Sequence, residues 1–164
     1  GLFGLHAALA GAEEVTCLEQ NRGACERILA NAERNGLQDK IKVERVDCMK
    51  DMRARAERGD RYDVVIVDPP AFARSKKEIA GAERGYVELN RRAFDLTPEG
   101  GAVVSASCSY NVSPRDFVEF IGKGASIAGR HVWMEELTSA SSDHPHLVTL
   151  PETDYLKCAF LRVN

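Results

Sequence analysis

Four side chains in this sequence combine a reactive type with a telling position: Glu19, Asp47, Asp68 and Cys108. Each closes or follows a short apolar or β-branched run, and in an open α/β sheet the carboxyl ends of the strands form the rim where ligands bind. Glu19, ahead of Gln20-Asn21, suits the two hydroxyls of a ribose, or equally a helix start where the macrodipole favours an acid. Asp47 can accept from an amino group such as that of adenine, or cap the helix that follows it. Asp68-Pro69-Pro70-Ala71-Phe72 is more particular, because two prolines after a strand fix an extended backbone and leave carbonyls without competing local donors. A carboxylate on so rigid a rim can bind the exocyclic amine or ring nitrogen of a base. Ser107-Cys108-Ser109 sets a thiol between small hydroxyl residues at a strand end, accessible as a nucleophile must be, with a buried packing cysteine as the plainer alternative. Arg74, Lys76, Lys77 and Arg84 add a basic cluster after Phe72, fit to neutralise phosphates or simply to solvate a loop. His144-Pro145-His146 lacks partners at metal-ligand spacing, so no metal is expected.

The elements that must hold these residues alternate between short strands and amphipathic helices, which is the grammar of an α/β sheet. Strands are expected over Glu14 to Glu19, Ile41 to Val46, Tyr62 to Asp68 and Gly101 to Ser107, then near His131 to Leu137 and Tyr155 to Val163. The unbroken run Val64-Val65-Ile66-Val67 predicts a strand covered on both faces. Cys25, Ile28, Leu29 and Ala32 recur at helical spacing and Gly36 offers a left-handed stop. Tyr86, Leu89, Asn90 and Ala93 make a second stripe. Ser113-Pro114-Arg115-Asp116 has a capping hydroxyl, a proline at the first helical position and a carboxylate at the third, ahead of Phe117, Phe120 and Ile121.

A chain of 164 residues, 44% hydrophobic and 29% charged, is sized for one domain and excludes collagen-like, disordered and coiled-coil classes. No apolar run approaches the roughly 18 to 20 residues of a membrane span, and no signal region opens the chain. The net charge of -3 argues against a surface that grips nucleic acid all over, leaving a local basic loop. Five cysteines, an odd number without a CxxC pair, favour reduced thiols and a cytoplasmic protein.

Taken in order, the motifs resemble the class I S-adenosylmethionine-dependent methyltransferases, and within them the large-subunit ribosomal RNA cytosine-C5 methyltransferases. Gly1-Leu2-Phe3-Gly4-Leu5-His6-Ala7 is similar to the tail of the family's glycine-rich cofactor loop, Cys17-Leu18-Glu19-Gln20-Asn21 to its ribose-binding segment, and Val46-Asp47-Cys48 to its adenine-binding turn. The resemblance thus implies S-adenosylmethionine as cofactor, with Gly1, Phe3, Glu19, Gln20, Asp47, Cys48 and Asp68 around it. Asp68-Pro69-Pro70-Ala71-Phe72, Lys76-Lys77 and Arg84-Gly85-Tyr86 with Asn90 resemble the substrate loop and the helix after it, which implies RNA contacts from Pro69, Pro70, Phe72, Lys76, Lys77 and Arg84. Ser107-Cys108-Ser109 resembles the nucleophile motif, and Asp143-His144-Pro145, Pro151-Glu152 and Tyr155-Leu156-Lys157 also follow the family pattern. Two departures stand out. Ala71 replaces a lysine common in the family, and the chain begins inside the glycine loop, so the family's first strand is absent. That strand would lie between those ending at Glu19 and Asp68, leaving a slot of roughly 10 Å, and the expectation is a fragment of a longer protein.

The resemblance implies a Rossmann-like, mostly parallel sheet with an antiparallel C-terminal strand. It also implies 5-methylcytosine formation in ribosomal RNA, with Cys108 adding to the ring and Asp68 binding the base edge. Two other readings remain: methylation of a guanine nitrogen or exocyclic amine by the same acid-proline-proline loop, which needs no thiol, and a noncatalytic RNA-binding domain of the same fold. The oligomeric state stays open, a homodimer included.

Overall fold

The structure is a computed structural model describing residues 1–73 and 75–164, apart from the Lys76 side chain. Arg74 and the Lys76 side chain, both read above as basic contacts, lie outside the described residues. The described residues divide into two compact units, Gly1–Ala54 and Arg55–Asn164.

In the first unit, α1 (Leu2–Leu9), β1 (Val15–Glu19), α2 (Arg22–Arg34) and β2 (Ile41–Arg45) follow one another, and α3 (Cys48–Arg58) begins. The strands pair in parallel from Val15 opposite Ile41 to Glu19 opposite Arg45. Asn21 caps α2 by accepting from the Ala24 N–H at 2.9 Å, and Gly36 ends the turn beyond it at φ 66°, where a side chain would be strained. Leu5, Ala8, Ile28, Ala32, Leu37 and Ile41 form the core. Helix α1 lies close on β1 at Gly4, where a Cβ would come within 2.8 Å of the Cys17 sulfur. The segment read as the tail of a loop is therefore helical from Leu2, with Gly1 at its N-cap and Phe3 51% exposed in its first turn.

The second unit holds β3 (Val64–Val67), a short 3-10 turn (Lys76–Glu78), α4 (Ile79–Leu96), β4 (Ala102–Ser107), α5 (Pro114–Ile127), β5 (Val132–Thr138) and β6 (Lys157–Val163). Its sheet has the order β3-β4-β6-β5, with β3 parallel to β4 and β6 antiparallel to both β4 and β5. Ser113 and Asp116 form the expected capping box at the start of α5. Tyr86, Phe94, Phe117, Val103 and Val163 are fully buried at the centre of the unit. The expectation for the Val64–Val67 run is corrected: Val64 is 55% and Ile66 37% exposed, and as alternate residues they share one face of β3, which is left bare. The continuous apolar run marks a strand able to be covered on both faces, which here it is not. Among the described residues no helix is long and apolar enough to cross a membrane, and no cluster could hold a metal ion.

Candidate active site

In the first unit, parallel pairing of β1 with β2 brings Glu19 and the turn after Arg45 side by side, and the Val46 N–H donates to the Glu19 carbonyl at 3.0 Å. The Glu19 Oε1 accepts from the Asn21 N–H at 2.7 Å, which fixes the carboxylate, while Oε2 has no partner among the described residues. Asp47 takes the capping role: its Oδ1 accepts from the Lys50 N–H at 3.1 Å. Gln20 is exposed, and its carbonyl accepts from the Arg45 side chain at 3.3 Å. The Cys48 thiol donates to the Leu18 carbonyl at 3.4 Å, and burial, then the nearby Glu19 charge, pushes it above its ordinary value.

In the second unit, alternation along the end of β4 decides which side chains face the core. Ser105, Ser107 and Ser109 turn inward and are buried, so Cys108 between the last two turns the other way and stays partly open. Its Sγ–H points to the Pro69 carbonyl at 3.9 Å, which sets the thiol beside the loop that begins with the exposed Asp68. The thiol thus lies against the residue that follows Asp68. Pro70 is exposed and Pro69 half-buried, whereas Phe72 packs its ring edge-on to Tyr86 at 4.8 Å and lies on Gly85, where a Cβ would be 3.0 Å from the ring. Phe72 is first of all the anchor of its loop. Lys77 and Arg84 are exposed beyond it.

Three residues that the sequence left without a role hold this arrangement. The Ser109 hydroxyl accepts from the Phe72 and Ala73 N–H groups at 3.1 and 3.4 Å, joining the loop to the thiol turn. Tyr86, fully buried, bonds the Ser107 and Ser109 hydroxyls at 2.8 and 3.0 Å. Lys157, 6% exposed, donates to the carbonyls of Ser109 and Val112 at 2.7 and 2.8 Å and so fastens the chain just past Cys108. Burial pushes its amine below the ordinary value. A lysine in alternation with the inward Ala159, Leu161 and Val163 is the one sequence signal that points to such a role.

All five cysteines are free thiols. Burial pushes those of Cys17, Cys48 and Cys158 upward, away from the reactive thiolate.

A family model described as Conserved hypothetical protein 95 matches residues 1–84, just over half of the chain. The chain belongs to that family. Over its whole length this member of the conserved hypothetical protein 95 family is 39% identical to Ribosomal RNA large subunit methyltransferase I of Aeromonas hydrophila, and over 99% of it 35% identical to the protein of the same name from Tolumonas auensis. It spans 42% and 41% of the length of those two curated relatives. Among solved structures, SMU.776 complexed with SAH matches with a TM-score of 0.84 at 24% identity, over 98% of this chain and 42% of that one. TrmN from Thermus thermophilus matches with a TM-score of 0.67 at 18% identity, over 99% of this chain and 40% of that one. The fold of this family member is therefore the α/β, Rossmann-like methyltransferase fold, with the antiparallel strand β6 described above.

Proposed function

We propose that this chain carries the catalytic centre of an S-adenosylmethionine-dependent methyltransferase that forms 5-methylcytosine in large-subunit ribosomal RNA, with Cys108 as nucleophile and the cytoplasm, where free thiols persist, as its compartment. The observation that carries this reading is the Cys108 thiol set against the Pro69 carbonyl, beside Asp68. The names of the Aeromonas and Tolumonas relatives supply the substrate class.

The residues of the first unit fit the cofactor. Glu19, held by the Asn21 N–H through one oxygen, keeps Oε2 for the ribose hydroxyls, and Asp47 and Cys48 follow β2 where an adenine edge would be read. Gly1, Phe3 and Gln20 complete the set implied by the motifs. When bound, the cofactor supplies an electrophilic sulfonium methyl group.

Cytosine C5 is a poor nucleophile, and the thiol remedies that. Addition of the Cys108 thiolate to C6 forms an S–C6 bond and moves an electron pair onto C5. A proton shared between the Asp68 carboxyl and N3 stabilises the negative charge that develops in the ring, while the amino N–H donates to the second carboxyl oxygen. C5 would take the methyl group with release of the demethylated thioether, and a base accepting the C5 proton would then let the C5–C6 double bond re-form and expel Cys108 as thiolate. The base must leave its stack to reach the site, and the exposed Lys77 and Arg84, with Pro69 and Pro70 as a rigid rim, suit the flanking backbone.

Covalent trapping tests this. The full-length protein and its Cys108→Ala variant are incubated with cofactor and 5-fluorocytosine-substituted ribosomal RNA, where fluorine at C5 does not leave as a proton does. An adduct that survives denaturation and needs Cys108 is the expected result. Absence of any adduct, with methyl transfer to ordinary RNA persisting in both proteins, would replace this reading with methylation of a ring nitrogen or exocyclic amine.

A further inference from the structure

The Tyr86 hydroxyl lies in a buried chain of hydrogen bonds whose direction can be worked out. Ser109 Oγ accepts two backbone N–H groups, those of Phe72 and Ala73, which uses both of its lone pairs. Its own proton must therefore go to Tyr86 Oη at 3.0 Å. Tyr86 then donates its single proton to Ser107 Oγ at 2.8 Å, which also accepts the Ser109 N–H at 3.2 Å. The polarity runs one way: loop backbone, Ser109, Tyr86, Ser107. Both serines flank Cys108 in sequence, so one phenol on α4 is tied to the chain on either side of the thiol and, through Ser109, to the loop that begins at Asp68. The ring is held in turn by Phe117, edge-on at 5.5 Å, and by Phe72.

We propose that the Tyr86 hydroxyl is a positioning group which sets the Cys108 turn against the Asp68–Phe72 loop and so aligns thiol and carboxylate on one pyrimidine. The assignment rests on the function proposed above for its substrate, though not for its geometry. Tyr86→Phe keeps the packed ring and removes only the relay, leaving the Ser109 proton without an acceptor. Ser109→Ala cuts the same relay at the loop and serves as the second variant should Tyr86→Phe fold poorly.

Two readouts test the idea on the full-length protein. The first needs no RNA: the rate at which iodoacetamide alkylates Cys108, followed on the Cys108 peptide by mass spectrometry and counted per folded molecule. The second is adduct formation and turnover on the RNA. The expected result is an altered Cys108 alkylation rate in both variants and a fall in kcat of roughly tenfold or more with KM little changed, since small misplacements of reacting groups act on the chemical step. The double variant should then be no worse than the poorer single one, because both cut one relay. A purely structural tyrosine would lower only the folded fraction. Wild-type alkylation rates in folded Tyr86→Phe and Ser109→Ala would overturn the positioning role. A wild-type protein that forms no RNA adduct would strike at the proposed function instead, and the alkylation result would still decide the role of Tyr86.

Discussion

Lys157 occupies a place that alternation along β6 assigns to the core, and its ammonium is spent on two backbone carbonyls. Replacement by methionine keeps much of the volume but strands both acceptors, at a cost of about 2 kcal/mol. Urea melts of Lys157→Met at neutral pH check that figure. The pH dependence of the difference has a defined sign. Burial lowers the folded-state value of Lys157 below its ordinary 10.5, so between the two values the unfolded chain binds the extra proton and stability rises with pH. Wild type should therefore gain on Lys157→Met as pH climbs toward 10.5, and a constant gap would show that the amine is not so shifted. Cys108 and Asp68 are legible in the sequence because each follows an evident strand. Lys157 and Tyr86 are not, since nothing local reveals that an amine reaches a carbonyl 48 residues away or that a helical tyrosine meets two strand-end serines. Asp47 had two readings: the Lys50 N–H shows it acting as a cap, and its part toward an adenine belongs to the proposed function.

Helices α4 and α5 carry the Tyr86 ring and the capping box, and they come close together at Gly124. A Cβ there would lie 2.9 Å from the Val87 carbonyl oxygen and 3.0 Å from the Arg91 nitrogen, both backbone atoms that cannot step aside. Gly122, two residues earlier on the same helix, would place a Cβ in open space. Alanine has the higher helix propensity at both sites by about 1 kcal/mol, yet the outcomes should differ in sign. Gly122→Ala is expected to stabilise by up to about 1 kcal/mol, and Gly124→Ala to destabilise by about 1–3 kcal/mol as the helices part. Thermal melts of the two variants side by side check this. The element pattern was largely legible: each expected strand lies within a few residues of an observed one, and the Tyr86, Leu89, Asn90 and Ala93 stripe is buried throughout. Leu29 departs, 51% exposed on a stripe whose other members are buried or nearly so, and α1 was hidden by its reading as loop. The bare face of β3 was also hidden, because a run of valines records what a strand tolerates rather than what covers it.

Across the whole chain, the sheet order β3-β4-β6-β5 places β6, the last of the described strands, between β4 and β5. Ala102 on β4 pairs with Arg162 and Val132 on β5 pairs with Val163, so β5 is bonded to the sheet only through β6. Such long-range pairings close large loops before they gain contacts, which makes them slow. Pulsed hydrogen exchange during refolding should show amides of β5 and β6 becoming protected together, after those of α4 and α5. Protection of β5 ahead of β6 would contradict the topology's implication. Lys157 opens β6, and with it comes the fastening of the turn beyond Cys108. On the ribosome the thiol therefore emerges long before the lysine that secures it. Until β6 joins the sheet the turn beyond Cys108 lacks its two lysine hydrogen bonds, so the setting of that turn waits on the assembly of the sheet.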